Sequence, residues 1–499
     1  MAPKIDITIS VHGLETLELN TYVACQAYPG NIINGQFASS QTTRHSIDPA
    51  TGWPLYEVPV ASKDDLDAAV KHARQAFKTW SKTSFDEPAK LLLAFSDVIE
   101  ENRDDLEKLQ TMEQGKPLSL AHTEVDMTLE WLRKFATMEV NDEVLDDNDE
   151  RTIYSTFPPL GVCGAIVPWN WPILLAMGKV GPALMTGNTI IVKPSPYTPY
   201  CDLKLGELGM SILPPGVFQV LSGADDLGPW MTEHPDIDMI SFTGSIPTGK
   251  RVVASCAKTL KRYVLELGGN DAAIICEDVD IAKCMPKIAM MAFLNSGQIC
   301  MLAKRIYVHE KIYDEFRDAM VEFTRKNIKT GSGFEPDVVV GPLQNSMQFN
   351  LVKDMYSQID KCGWKTALEG RVRETAKGYY IEPAIIDNPP EDSRIVVEEP
   401  FGPIVPLLRW ASEDDVVDRA NALRTGLGAS VWSRDVRRAE GMARQLSAGS
   451  VWVNSHFDVA PNVPFGGHKE SGVGMEWGME GFKHYTNTRS LWVWKRVFD

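Results

Sequence analysis

Two periods of apolar residues organise the chain. Between Asp64 and Lys78, in DDLDAAVKHARQAFK, the residues Leu66, Ala69, Val70, Ala73 and Phe77 share one helical face. PAKLLLAFSDVIEENRDDLEKLQTMEQG predicts two more helices with charged outer faces, and Gly115 is the expected stop. Past residue 160 the rhythm changes. VCGAIVP, NTIIV (residues 188–192), VFQVLSG, IDMISFTGS and RYVLELGG are short and almost wholly apolar. Helical segments such as TPYCDLKLGELGMSIL and IPTGKRVVASCAKTL alternate with them. Strands apolar on both faces belong to a covered sheet, so the pattern predicts an α/β fold with a parallel, doubly wound sheet. A second α/β block opens at NDAAIICEDVD and runs to Pro464. The tail HYTNTRSLWVWKRVFD alternates Leu491 and Val493 with other residues, as an edge strand does. An apolar edge left uncovered invites pairing, so a partner subunit is expected there.

Composition narrows the function. A chain of 499 residues is long enough for two or three domains, and 44% hydrophobic with 23% charged residues is ordinary for a soluble globular protein. A formal net charge of −17 without a basic patch excludes a grip on nucleic acid. The eight cysteines, Cys25 among them, are scattered without CxxC pairs, which fits reduced thiols in the cytoplasm. The nine histidines form no HExxH, so no metal is expected. Residues 1–20 carry acids and no long apolar run, so neither a secretory leader nor a mitochondrial presequence is expected. Pro, Gly and Lys179 break the most apolar stretch, GVCGAIVPWNWPILLAMGKVGPALM, which argues against a membrane span.

Five motifs carry candidate chemistry. FLNSGQIC ends at Cys300 in small and polar residues that suit a turn better than a core. Cys300 either packs or reacts; a thiolate needs nearby backbone N–H groups or cations and some access. In LELGG, Glu266 sits at an apolar strand end beside Gly268 and Gly269. It is either a base with a raised pKa or a carboxylate paired with a lysine or arginine. PWNWP frames Asn170 rigidly, as an oxyanion donor or as a cap of the next helix. FTGSIPTG puts Pro247 in a first helical turn after a strand, where free N–H groups accept a pyrophosphate, although GxGxxG is absent. VKPS places Lys193 at a strand's C-terminal end, where α/β sheets bind ligands.

Taken in order with NIINGQF, DPATGWPLYEVP, GYYIEP, EEPFGP and PFGGHKESGVGMEWG, these motifs resemble the aldehyde dehydrogenase superfamily over nearly the whole chain. The resemblance implies a Rossmann-type cofactor domain (1–140 and 159–267), a catalytic domain (268–467) and a small β oligomerisation element (141–158 and 482–499). It implies that Cys300 is the nucleophile, that Asn170 and the Cys300 N–H hold the oxyanion, and that Glu266 activates water. Glu476 and Lys179 match positions of a proton relay to that glutamate. Lys193 should hold the adenine ribose, Trp169 and Ser245 the pyrophosphate, and Glu399 and Phe401 the nicotinamide ribose and ring. Ile166, Gly223, Phe242, Gly244 and Leu267 complete the cofactor site. The cofactor implied is NAD, and the assembly a homodimer or homotetramer.

Two departures qualify the likeness. Many NAD-using members read KPSE and this chain reads KPSP, so Pro196 can neither bind ribose hydroxyls nor repel a 2′-phosphate, and NADP is expected to be tolerated. The tunnel positions, Trp171, Leu174, Gly178, Phe293, Ile299, Met301, Phe457, Val459 and Phe465, include no cation. A charged aldehyde left unpaired there loses solvation, which disfavours succinic semialdehyde. Gly178 stands where a bulky aromatic is common, so a wider tunnel for medium-chain or aromatic aldehydes is expected. The other readings are a specialised semialdehyde or aminoaldehyde dehydrogenase, and a non-catalytic structural protein on the same fold. A cysteine hydrolase would lack a neighbouring histidine and leave the cofactor motifs without a role.

Overall fold

The computed structural model describes residues 28–374 and 377–496. The expectations for residues 1–20 and for Cys25 lie outside the described residues. Two parallel sheets carry the fold. The first has eight strands in the order Gln36–Ala38, Asn31–Ile33, Phe218–Val220, Thr189–Lys193, Val162–Ile166, Met239–Thr243, Arg262–Glu266 and Gly472–Val473. Its five strands from Phe218–Val220 to Arg262–Glu266 are parallel. From Val162–Ile166 the chain order runs outward in both directions, which makes a switch point, the place where open α/β sheets form a crevice at their carboxyl edge. Register aligns that edge: Ile166 is opposite both Lys193 and Phe242, and Thr243 is opposite Glu266.

The second sheet has seven strands, Thr366–Leu368, Ala384–Asp387, Ile404–Trp410, Ala303–His309, Asp271–Ile275, Gly428–Trp432 and Ser450–Val453, parallel except for the first. A three-stranded sheet pairs Arg489–Trp494 with Arg151–Thr156, which in turn pairs with Glu143–Asp147. All six residues of Arg489–Trp494 are exposed, and the strand is an edge of its sheet.

Local chemistry sets the element ends. Helix Lys63–Trp80 starts at a capping box in which the Ser62 hydroxyl accepts from the Asp65 N–H while the Asp65 carboxylate accepts from the Ser62 N–H. Helix Arg103–Gln114 stops at Gly115, whose φ of 88° is open to glycine at no steric cost. The strand expected over 188–192 is Thr189–Lys193 instead. Asn188 is excluded because its side chain is a tie between loops, accepting from the Gly161 N–H and donating to the Tyr485 carbonyl. Among the described residues no helix is long and apolar enough to cross a membrane.

Candidate active site

Helix Ile281–Phe293 ends in a turn that the backbone adopts only under constraint. Asn295, Ser296 and Gly297 follow with φ of 50°, 60° and 76°, three left-handed residues in a row. For Asn and Ser each such conformation costs on the order of 1–2 kcal/mol, and it persists where neighbours fix it. The Ser296 hydroxyl donates to the Gly341 carbonyl at 2.9 Å, and the Gln298 side-chain carbonyl accepts from the Gln344 N–H at 2.9 Å. At Gly297 a side chain is excluded outright, because a Cβ would lie 2.1 Å from the Gly402 carbonyl oxygen. This turn presents Cys300, half-buried, just before strand Ala303–His309. Burial pushes the Cys300 thiol up to about 12; the Lys304 ammonium opposes that rise, and the carboxylates of Glu399, Asp271 and Glu266 add to it.

Asn170 reaches the same turn from the first sheet. Its side-chain N–H donates to the Gln298 carbonyl at 3.1 Å, two residues before Cys300. Its own carbonyl accepts from the Lys116 ammonium at 3.0 Å and from Asn295 Nδ2 at 3.3 Å. Asn170 therefore does not cap the next helix, Pro172–Met185, whose N-cap position is Trp171. Lys116 is buried, ion-paired with Glu124, and lies 4.5 Å from the centre of a Trp171 ring, so it fixes both residues.

Glu266 ends its strand only 4% exposed, and neither carboxylate oxygen has a hydrogen-bond partner among the described residues. Among the described residues it is therefore not a carboxylate paired directly with a lysine or arginine. Burial raises its pKa well above the carboxylate range; the nearby Glu476 charge raises it further, and Lys179 pulls it down. Behind it, Glu476 is ion-paired with Lys179 and accepts from the Ser241 hydroxyl at 2.7 Å. Lys179 also donates to Thr243 Oγ1 at 2.8 Å. Both partners of that ion pair are buried.

The crevice at the carboxyl edge fits a dinucleotide. Ser245 is the N-cap of helix Ile246–Cys256, and its hydroxyl donates to Thr248 Oγ1 and accepts from no helix N–H among the described residues, so no side-chain cap occupies the first-turn N–H groups. Lys193 is buried with a single hydrogen bond among the described residues, to the Pro194 carbonyl at 3.3 Å, and burial lowers its pKa to about 8. A buried ammonium so poorly satisfied suits hydroxyl acceptors from a ligand. Ile166 and Phe242 are buried in register beside it, while Leu267 packs on Gly249 and Leu227 on Gly223. Gly244 has the Phe242 ring against it, leaving no room for a side chain. Trp169 and Phe401 meet edge to face at 5.3 Å across the crevice. Glu399 lies against Gly268 and is ion-paired with Lys304.

Most of the expected tunnel residues gather in one apolar cluster with Cys300, namely Trp171, Leu174, Ile299, Met301, Phe457, Val459 and Phe465. Phe293 does not join them. It is the last residue of its helix and packs into the core of the second sheet, with Ile288, Ile306 and Leu407, while Leu294 turns toward the cluster. Gly178 does not widen the space either, because the Trp477 indole takes the room. Trp477 stacks on Phe465 at 5.1 Å and meets Trp131 edge to face at 5.2 Å. Lys116, Lys304, Leu294 and Trp477 are the site residues that sequence reasoning missed. Two of them stood beside motifs already singled out, Trp477 after Glu476 and Lys304 four residues past Cys300. Among the described residues no group of three or more His, Cys, Asp or Glu side chains could hold a metal ion.

Comparison with known proteins agrees with this geometry. Residues 37–491 match the aldehyde dehydrogenase family. The chain is 39% identical over 466 residues to an aldehyde dehydrogenase from a Fusarium species, covering 93% of this chain and 98% of that one. Among solved structures, it is similar to the NAD+ complex of aldehyde dehydrogenase from Bacillus cereus, with a TM-score of 0.91, 35% identity, and 94% and 96% of the two chains covered. It is also similar to betaine aldehyde dehydrogenase from Staphylococcus aureus in complex with NAD+, with a TM-score of 0.90, 31% identity, and 94% and 95% covered.

Proposed function

The chain belongs to the aldehyde dehydrogenase family and is an NAD(P)-dependent aldehyde dehydrogenase; on that premise we propose that it oxidises apolar, medium-chain or aromatic aldehydes through a covalent Cys300 adduct. The observation that supports the mechanism best is that the Asn170 amide donates to the turn that carries Cys300, while the charge of Glu266, whose carboxylate has no hydrogen-bond partner among the described residues, bears on the Cys300 thiol. Cys300 Sγ attacks the aldehyde carbon, and the resulting oxyanion is held by the Asn170 amide and the Cys300 N–H. Bound nicotinamide supplies the hydride acceptor. Oxidation of the adduct leaves a thioester on Cys300, and Glu266 takes a proton from the water that cleaves it. Glu476 and Lys179 form the relay behind Glu266. Lys193, the helix end at Ser245, Trp169, Glu399 and Phe401 would hold the cofactor.

Substrate class rests on the apolar tunnel positions gathered in one cluster with Cys300, none of which is a cation. With Trp477 against Gly178, the tunnel is bounded by an indole rather than widened, which favours flat or unbranched aldehydes. The specialised semialdehyde and aminoaldehyde readings are disfavoured by the same lining. NAD is the primary cofactor, and Pro196 supports tolerance of NADP. The two-sheet arrangement supports a cofactor domain over 1–140 and 159–267 and a catalytic domain over 268–467. The exposed strand Arg489–Trp494 beside Arg151–Thr156 supports a homodimer or homotetramer built on the element 141–158 and 482–499. Seven unpaired cysteines among the described residues support a reducing, cytoplasmic setting.

The test is absorbance at 340 nm with aliphatic, aromatic and charged aldehydes and NAD or NADP in parallel, beside Cys300→Ala. Cofactor reduction that is largest with apolar aldehydes and vanishes in Cys300→Ala is the expected result. Reduction that persists in Cys300→Ala would overturn the covalent route, and a preference for charged aldehydes would overturn the substrate class.

A further inference from the structure

Lys304 touches more of the site than any residue assigned a role above, the cofactor and catalytic residues included. Its side chain is buried at the start of strand Ala303–His309. The ammonium donates to the carbonyl of Cys300 at 2.9 Å and to that of Gly269 at 3.4 Å, and it is ion-paired with Glu399. It also lies 5.2 Å from the centre of the Phe401 ring. One cation thus joins the nucleophile's main chain, the loop after Glu266 and the loop that carries Glu399 and Phe401.

We propose that Lys304 is a positioning residue of the aldehyde oxidation: its ammonium clamps the Cys300 main chain against Glu399 and supplies the positive charge that favours the Cys300 thiolate. This rests on Cys300 being the nucleophile. Among the described residues the charges that bear most on Cys300 are those of Lys304, Glu399, Asp271 and Glu266, and Lys304 is the cation of the four. Three carboxylates and burial oppose ionisation there, so the thiol depends on that cation. Glu399 neutralises part of its effect while the two are paired. A carboxylate that turns to a ribose hydroxyl would leave more of the Lys304 charge acting on the sulfur.

A lysine that served only to neutralise Glu399 would make the same ion pair, so the test must read the thiol itself. Alkylation of Cys300 by iodoacetamide, in which the thiolate displaces iodide and the thiol proton passes to buffer, is followed across pH by mass spectrometry of the Cys300 peptide in the full chain. In Lys304→Met the alkylation rate at pH 8 is expected to fall about tenfold, with the midpoint moved to higher pH. In Glu399→Gln it should rise several-fold, with the midpoint moved to lower pH, and Lys304→Arg should stay near the parent. Shifts of opposite sign in the first two variants support the proposal. An unchanged midpoint in Lys304→Met, or the same direction in both, overturns it. If Lys304→Met does not fold, Glu399→Gln decides: a midpoint that stays put or rises overturns the proposal. Failure of the nucleophile assignment is separate, since it shows as cofactor reduction surviving in Cys300→Ala whatever the midpoints do.

Discussion

Gly178 and Trp477 share one space: a Cβ on Gly178 would come 2.7 Å from the indole nitrogen of Trp477. The glycine does not open the tunnel; it admits an aromatic ring from the far end of the chain. Trp477→Ala should therefore uncover the room that Gly178 alone does not. Removing a buried tryptophan costs on the order of 3–5 kcal/mol, so the melting temperature should fall. The ratio of kcat/KM for decanal over hexanal should rise roughly tenfold, the scale at which a hydrophobic pocket separates substrates by size. An unchanged ratio would mean that the indole does not bound the tunnel.

The buried Lys179–Glu476 pair sets the environment of Glu266 with two opposed charges. Glu266 must be ionised to act as base, so release of the acid product should rise with pH through a limb lying above the ordinary carboxylate range. Glu476→Gln removes a charge that raises the Glu266 pKa and should move the limb to lower pH. Lys179→Met removes the charge that lowers it and should move the limb to higher pH. Single-turnover product release measured across pH checks both signs, and a common direction would exclude this relay.

Gly297→Ala tests the turn that presents Cys300. The backbone there has a φ of 76°, and the new methyl group would meet the Gly402 carbonyl, which cannot give way as a flexible side chain would. A loss of more than about 2 kcal/mol of stability is expected, from the left-handed conformation and the overlap together. Thermal unfolding reads the loss. Aldehyde oxidation should fall further than unfolding alone explains, because the displaced turn carries Cys300, the proposed nucleophile.

We propose that cofactor choice turns on Pro196. Its carbonyl accepts from the Ser46 hydroxyl at 3.0 Å, which holds strand Thr43–Ile47, and with it Arg44, beside the Lys193 end of the sheet. The charge of Arg44 bears on Lys193, and among the described residues Arg44 has no ion pair. A carboxylate at position 196 would face a 2′-phosphate with like charge. Pro196→Glu should lower kcat/KM with NADP more than about tenfold while leaving NAD nearly unchanged. Equal losses with both cofactors would show that position 196 does not read the phosphate.

Legibility followed the range of the interactions. The places of Cys300, Glu266 and Lys193, after a turn and at two strand ends, are legible because they depend on neighbours in sequence. Phe293 was misplaced by one residue, since the helix ends there and the chain turns between Phe293 and Leu294, sending adjacent side chains to different cores. Gly178 was misjudged because its true neighbour is Trp477, about three hundred positions away. Lys116 gave no local signal, and the nearness of Lys304 to Cys300 in sequence did not reveal what its ammonium holds. Their importance lies in backbone carbonyls of Asn170 and Cys300, and no sequence pattern marks a carbonyl as occupied.

Strand Arg489–Trp494 leaves Trp492 and Trp494 51% and 56% exposed, with the Arg151 guanidinium 5.0 Å from the first ring and 5.5 Å from the second. Indoles so placed emit with the red-shifted fluorescence of a wet environment, and a second subunit laid on the strand would blue-shift that emission. The exposed edge therefore carries its own optical gauge, and a dilution series read in tryptophan emission would test, without an attached dye, whether a second subunit covers it.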